Sequence, residues 1–147
     1  LTTEGGLDVA GQMPWLTDYI AKLQAVGIKV SLFIDPEDKQ IAAAVTCGAD
    51  AIELHTGAYA EAGLTGNIDK MNAELTRIKQ AVRTAQDANS NMLINAGHGL
   101  TRENVHAIAQ INGIYELNIG HALIADAVFV GLEQAVIMMK NAMHESA

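Results

Sequence analysis

Several residue types are scarce in this sequence, and each scarcity excludes a class of protein. One cysteine among 147 residues, Cys47, cannot form an internal disulfide, so the chain is not a disulfide-stabilised scaffold. Aromatic residues make up only 4% of the chain, which predicts a core of aliphatic side chains. No apolar run is long enough to span a bilayer, and no signal-peptide pattern opens the chain. We therefore expect a cytoplasmic protein without membrane partners.

Basic residues are also in the minority. Nine Lys and Arg stand against 17 Asp and Glu, which gives a net charge of −8. That balance argues against general nucleic-acid binding, since nucleic acids attract basic surfaces, although a locally positive pocket could still hold a phosphate. His and Cys residues do not recur at metal-ligand spacing, so we expect no metal site. Half of the residues are hydrophobic, enough for one domain with a substantial core.

Two kinds of apolar segment alternate along the chain. Residues 1–11 have the composition of a loop, and Pro14 suits the first turn of a helix that ends at Gly27. Four strand–helix pairs follow, with strands predicted at 28–34, at 51–55, at the start of 91–100 and at 113–119. A longer connection at 58–67 precedes the helix at 68–88, and one last helix runs from 121 to about 142.

Strict alternation of strands and helices predicts parallel strands joined by right-handed crossovers. Two architectures fit this pattern: an open doubly wound sheet, or part of a (β/α)₈ barrel. A full barrel typically needs ~250 residues, so four units would make about half of one.

Polar residues stand at the end of every predicted strand: Asp35, then Glu53 and His55, then Asn95 and His98, then Asn118 and His121. Parallel strands open their carboxyl ends on one face, and that face carries the active site. Asp35 could instead cap the next helix, and Asn118 could serve a turn, so both are assigned a local or supporting role. Glu53 is the stronger functional candidate, whereas His55 remains open.

Two glycine-rich segments are candidate binding loops. His98 lies between Gly97 and Gly99, where backbone can approach a ligand and an imidazole can titrate near neutral pH. The plainer alternative is a tight turn with an exposed histidine. Gly120 and His121 open the last helix, and free N–H groups at a helix N-terminus bind phosphate.

Five motifs together resemble the pyridoxine 5′-phosphate synthase family of vitamin B6 biosynthesis: TTEGGLDV at 2–9, SLFID at 31–35, ELHTG at 53–57, NAGHGL at 95–100 and ELNIGH at 116–121. The resemblance implies a (β/α)₈ barrel assembled as a homo-octamer. It places residues 1–147 in the C-terminal part of that single barrel domain, from the loop after strand four through strand eight. Strands one to four would then be absent from this sequence.

The same resemblance implies a reaction and a set of site residues. The family condenses 1-deoxy-D-xylulose 5-phosphate with 3-amino-2-oxopropyl phosphate into pyridoxine 5′-phosphate, phosphate and water, without a metal or organic cofactor. The implied catalytic residues are His98, as proton donor, and Glu53, as the carboxylate that stabilises charge. The implied substrate contacts are Thr2, Gly99, Gly120 and His121.

The family also needs another histidine, a glutamate base and phosphate-binding arginines from its N-terminal half, none of which this sequence contains. We therefore expect these 147 residues to be inactive alone. Two rival interpretations are another phosphate-binding barrel, similar to an aldolase or a phosphosugar isomerase, and a non-catalytic phosphate-binding or assembly module. The sequence has no lysine at a strand end, which a Schiff-base aldolase would need. A module that only binds phosphate would have no need for both Glu53 and His98.

Overall fold

A computed structural model describes residues 5–144 of the chain. The helices are α1 (Val9–Gln24), α2 (Asp38–Thr46), α3 (Gly57–Leu64), α4 (Ile68–Ala88), α5 (Val105–Ala109), α6 (His121–Val130) and α7 (Leu132–His144). The strands are β1 (Ser31–Ile34), β2 (Ala51–His55), β3 (Leu93–Gly97) and β4 (Glu116–Asn118). Within the described residues, no helix is long and apolar enough to cross a membrane.

The four strands form one parallel sheet in the order β1-β2-β3-β4, as their alternation with helices predicts. Doubly wound sheets reverse their strand order at a switch point, whereas a barrel keeps sequence order throughout. Sequential order with crossovers of one hand also keeps the helices on one side of the sheet. The architecture is therefore α/β and consistent with part of a (β/α)₈ barrel.

The two faces of the sheet differ completely in polarity. One face is aliphatic and joins the helices in a single buried cluster, which includes Leu32, Ile34, Ile52, Leu54, Ile94 and Ala96 from the strands and Ile20, Ile41, Val82, Ile108 and Met139 from the helices. The other face carries Phe33, Glu53, Asn95 and Glu116, which the register aligns side by side. This polar face lies opposite the aliphatic face that packs on the helices, and it corresponds to the interior of a closed barrel.

Three expectations about element boundaries are wrong. Residues 1–11 are not loop throughout, because α1 begins at Val9 with Asp8 as its N-cap, whose carboxylate accepts the N–H of Gly11. The helix kinks at Gln12, so Pro14 still lies near the start of its second segment, where the missing N–H costs least.

The connection at 58–67 contains helix α3, and the last predicted helix is two helices, α6 and α7. Gly131 separates them with φ 83° and ψ 154°, a conformation that only glycine adopts readily. The four strands lie where the sequence places them, although β1 and β4 are shorter than predicted.

Asp50 links the start of β1 to β2. Its carboxylate accepts the backbone N–H of Val30 at 2.8 Å and the side-chain amide of Gln24 at 3.0 Å. The hydrogen bond from Gln24, followed by that from Val30, lowers the pKa of Asp50 below its ordinary value of 3.8. Both bonds favour the ionised form, so they stabilise the fold wherever this carboxylate is charged.

We expect Asp50→Asn to be less stable than the parent at pH 7. Because the folded pKa is depressed, the contribution of Asp50 is present above the unfolded pKa and disappears as pH falls through the folded value. Urea unfolding of a full-length chain containing these residues, between pH 7 and pH 3, measures this difference. Asp18→Asn, at an exposed aspartate of α1, is the control. A stability difference that persists undiminished in acid would contradict the assignment.

Candidate active site

A cavity of about 480 Å³ opens at the carboxyl ends of the strands. Five of the six sequence-predicted site residues line it: Glu53, His98, Gly99, Gly120 and His121. The sixth, Thr2, lies outside the described residues. The structure therefore brings residues from one strand and from the two segments that follow β3 and β4 to a single concave site.

Glu53 is held in one position by its neighbours. Its Oε2 atom accepts a hydrogen bond from Asn118 Nδ2 at 2.7 Å. Its Oε1 atom occupies the space next to Gly97, where a Cβ atom would collide with it. A side chain at position 97 would displace this carboxylate and would also meet the backbone oxygen of Asn118 at 2.9 Å, so glycine keeps the carboxylate where it is. Asn118 has the supporting role that the sequence suggested, and the supported residue is Glu53.

The backbone of His98 is unusual. Among residues 5–144 it is the only non-glycine residue with a left-handed conformation, at φ 81°. Such residues cost of order 1–3 kcal/mol and persist only where their surroundings enforce them. The conformation turns the chain sharply at the end of β3 and leaves the residue exposed at the cavity.

Thr56 enforces this turn from the neighbouring strand. Its fully buried hydroxyl lies 2.7 Å from the carbonyl oxygen of Gly97 and 2.6 Å from that of His98. One hydroxyl proton is shared between these two acceptors, and the Thr56 N–H also donates to Gly97 O at 2.9 Å. Thr56 thus ties the end of β2 to the segment that carries His98.

The loop containing Gly99 is fixed from its other end by Asn104. The Asn104 side chain accepts the N–H of Thr101 at 2.8 Å and donates to the carbonyl of Gly99 at 3.2 Å. Its own carbonyl accepts the hydroxyl of Tyr59 from α3 at 2.8 Å. Burial of that hydroxyl raises the pKa of Tyr59, so it stays a neutral donor at physiological pH.

The N-terminus of α6 opens directly on the cavity. Gly120 is the N-cap, and no side chain caps the helix. Gly120, His121 and Ala122 all line the cavity, so the first N–H groups of the helix are available to a bound anion. A Cβ atom at Gly120 would meet no atom of the described residues within 4 Å, which leaves room for a ligand beside the backbone.

His55 lies beside this cavity and contacts two candidate residues. Its Nδ1 atom is 3.0 Å from Asp35 Oδ1, and its ring centroid is 4.8 Å from that of His98. The alternative that Asp35 caps the next helix is wrong, since Glu37 is the N-cap of α2 and no side chain caps it.

Sequence reasoning missed the supporting contacts made by Thr56, Tyr59 and Asn104. Thr56 directly follows the strand that carries Glu53 and His55. Its position at the end of that strand could have identified it as a candidate supporting residue. Tyr59 and Asn104 gave no comparable signal, because their contact joins α3, which was not predicted, to a distant loop. Among residues 5–144, no three His, Cys, Asp or Glu side chains are grouped to hold a metal ion.

Comparison with known proteins matches nearly the whole chain. The model of a family described as "Pyridoxal phosphate biosynthesis protein PdxJ" matches residues 1–145. A pyridoxine 5′-phosphate synthase of Alcanivorax borkumensis is 52% identical over 141 residues, and one of a Sulfurihydrogenibium species is 53% identical over 141 residues. Each alignment covers 96% of this chain and 56% of the relative, so the chain spans little more than half their length.

We expect Thr56→Val to destabilise the protein by about 1–3 kcal/mol, because the carbonyls of Gly97 and His98 lose a hydroxyl donor while the side-chain shape is kept. Thr56→Ser, which retains the hydroxyl, is the matched control and should lose less. Urea unfolding of both variants in a full-length chain gives the comparison. Equal stability of the Val and Ser variants would show that the hydroxyl does not hold this turn.

Proposed function

Because the chain belongs to the family of the pyridoxal phosphate biosynthesis protein PdxJ, we propose that it is part of a pyridoxine 5′-phosphate synthase. The full protein condenses 1-deoxy-D-xylulose 5-phosphate with 3-amino-2-oxopropyl phosphate, releasing phosphate and water. The observation that carries the proposal is the convergence of Glu53, His98 and the N-terminus of α6 on one cavity. A carboxylate, an imidazole and a phosphate-binding helix end match a reaction of two phosphorylated substrates.

His98 is proposed as the proton donor. The reaction requires imine formation, loss of water and phosphate, and ring closure, and each step moves protons. An imidazole can give and take protons near neutral pH, and positioned acid–base groups contribute about 10²–10⁴-fold to the rate. The left-handed backbone supports this role, since it turns His98 out of the sheet and into the cavity.

Glu53 is proposed to stabilise positive charge on an imine-type intermediate. Electrostatic stabilisation works best when the charged group is fixed before the reaction begins. Asn118 and the lack of a side chain at Gly97 provide that fixation, because one holds Oε2 and the other leaves room for Oε1.

Gly99, Gly120 and His121 are proposed to bind the phosphate of 3-amino-2-oxopropyl phosphate. The uncapped N-terminus of α6 supports this role through its free N–H groups and partial positive charge. Thr2 is proposed to contact 1-deoxy-D-xylulose 5-phosphate, from the resemblance alone. The proposed chemistry uses no metal and no organic cofactor.

The rest of the proposed protein comes from outside this sequence. The relatives are longer, and their additional length would supply the four N-terminal strands, a further histidine, a glutamate base and arginines. These strands would pair with β1 and β4, which are the two end strands of the sheet in the described part of the chain. On this proposal the full chain forms cytoplasmic homo-octamers and these 147 residues alone are inactive. The buried free thiol of Cys47 fits a reducing compartment.

The second candidate function is a non-catalytic module that binds a phosphorylated ligand or mediates assembly. The observation that favours it is α6, which has no buried residue and exposes Ile124, Val128 and Phe129. Such an apolar surface is typical of an interface. Binding or assembly alone gives no reason for Glu53 to be fixed as it is, so the synthase remains the better explanation.

We expect His98→Ala in a full-length chain to lower kcat by about 10²–10⁴-fold, since it removes a positioned acid–base group. Affinity for the phosphorylated substrates should change little, because the N-terminus of α6 remains. The assay is formation of pyridoxine 5′-phosphate, with binding measured by calorimetry. His106→Ala, on α5 and away from the cavity lining, is the control. Unchanged turnover in His98→Ala would favour the non-catalytic module.

We expect Gly120→Val to raise the Michaelis constant for 3-amino-2-oxopropyl phosphate about 10- to 100-fold, because hydrogen bonds to charged groups contribute about 1.5–3 kcal/mol. Its φ of −113° is open to any residue, and a Cβ atom there meets no protein atom, so the fold should tolerate the change. Steady-state kinetics and thermal unfolding test both points. Gly63→Ala in α3 is the control. Unaltered Michaelis constants for both substrates would remove Gly120 from the site.

A further inference from the structure

Three aromatic rings meet at the carboxyl end of β1 and β2. The ring of His55 lies 4.8 Å from that of His98, with 64° between their planes, and 5.0 Å from that of Phe33, with 74° between them. Phe33 and His98 are 6.3 Å apart. The three rings therefore form a triangle in which His55 packs against both the apolar ring of Phe33 and the proposed proton donor His98.

Asp35 determines which nitrogen of His55 carries a proton. Its Oδ1 atom lies 3.0 Å from His55 Nδ1, and a carboxylate can only accept a hydrogen bond. The proton of a neutral His55 therefore resides on Nδ1, and Nε2 carries a lone pair. Asp35 is 41% exposed and His55 only 17%, so the ring is the more enclosed member of the pair.

The Nε2 atom of His55 is buried and has no hydrogen-bond partner among the described residues. A buried polar atom without a partner costs about 1–3 kcal/mol, so its presence calls for an explanation. Ordinary packing does not supply one, because a phenylalanine or leucine would fill the same space without that cost.

Gly57 shows where the two imidazoles converge. A Cβ atom at Gly57 would lie 2.6 Å from His55 Nε2 and 3.1 Å from His98 Cδ2. The unpartnered nitrogen and the edge of the His98 ring therefore adjoin the same small volume. Any side chain at position 57 would push the two rings apart.

We propose that Asp35 and His55 are positioning residues for His98, an inference that rests on the proposed function. Asp35 fixes the tautomer and orientation of His55, and the His55 ring supports the imidazole of His98 edge-to-face. The backbone of His98 is held by Thr56, but its exposed side chain needs a second restraint to keep one orientation. Phe33 completes the restraint, because it packs against the His55 ring at 5.0 Å and also lies 6.3 Å from the ring of His98.

The consequence for the reaction is a restriction of geometry. Proton transfer requires the donor nitrogen to lie within hydrogen-bond reach of the substrate atom, and a displacement of 1 Å can cost about 10²-fold in rate. Loss of Asp35 or His55 should therefore reduce kcat, whereas substrate binding at the N-terminus of α6 should persist.

The kinetic test uses Asp35→Asn, Asp35→Glu and His55→Gln in a full-length chain, assayed for pyridoxine 5′-phosphate formation. We expect Asp35→Asn and His55→Gln to lower kcat about 10- to 100-fold with little change in the Michaelis constants. Asp35→Glu, which restores the carboxylate, should recover part of the loss. Asp38→Asn is the matched control, because that carboxylate accepts one hydrogen bond, from Thr84, outside the cavity lining.

Nitrogen-15 NMR of the histidine rings gives a second readout that does not depend on turnover. In the parent protein His55 should show the Nδ1–H tautomer. In Asp35→Asn the ring resonances of both His55 and His98 should shift, because the hydrogen bond to Asp35 orients the ring that packs against His98.

The outcomes separate this proposal from the proposed function. If His98→Ala abolishes turnover while Asp35→Asn and His55→Gln retain the parent kcat, the positioning role is wrong and the synthase stands. If His98→Ala retains turnover, the synthase assignment fails, and coupled ring shifts would then show only a structural link between the histidines. Losses of kcat matched by equal losses of folded protein would also overturn the positioning role.

Discussion

The parallel register between β2 and β3 is the constraint on which the site depends. It sets Glu53 opposite Asn95 and His55 opposite Gly97, so both candidate site residues of β2 point to the polar face. Side chains alternate along a strand, and a shift of one residue would send Glu53 into the aliphatic cluster and bring Leu54 out. An unpaired carboxylate in that cluster is far too costly, so burial of Ile52 and Leu54 enforces the active register.

Two glycines shape the site by the side chains they lack. Gly97 leaves space for the carboxylate of Glu53, and Gly57 leaves space where the edges of His55 and His98 meet. Gly97 is the last residue of β3, and Gly57 is the first residue of α3, two positions after β2. Each glycine leaves free space for a neighbouring side chain of the site. The positions of these glycines in the ELHTG and NAGHGL motifs therefore help to set the geometry of the site.

Much of the fold follows from local signals. The strand at 51–55 and the helix at 68–88 have clear periodicity and end where the sequence predicts. Helix α3 was missed because its residues are small and apolar and show little amphipathic pattern. The break at Gly131 was missed because apolar residues continue on both sides of it, so only a left-handed glycine marks the boundary.

The candidate site likewise has residues that local sequence patterns predict and contacts that they do not. Glu53 and His98 were identified because their positions follow from strand alternation and from flanking glycines. The contact between Asp35 and His55 joins residues 20 positions apart on neighbouring strands, and no local pattern distinguishes it from helix capping. The hydrogen bonds from Thr56 to Gly97 and His98 span more than 40 residues and arise only once the strands are paired.

The division of the sheet into an aliphatic face and a polar face affects which amino-acid substitutions such a protein can tolerate. Glu53, Asn95 and Glu116 contribute nothing to the cluster that joins the strands to the helices. Substitutions among them can therefore alter the polar face that carries Glu53 while the packing that maintains the sheet stays intact. A scaffold of this kind separates the residues that determine its shape from those that determine its reaction, so one lineage can explore new substrates without first losing its fold.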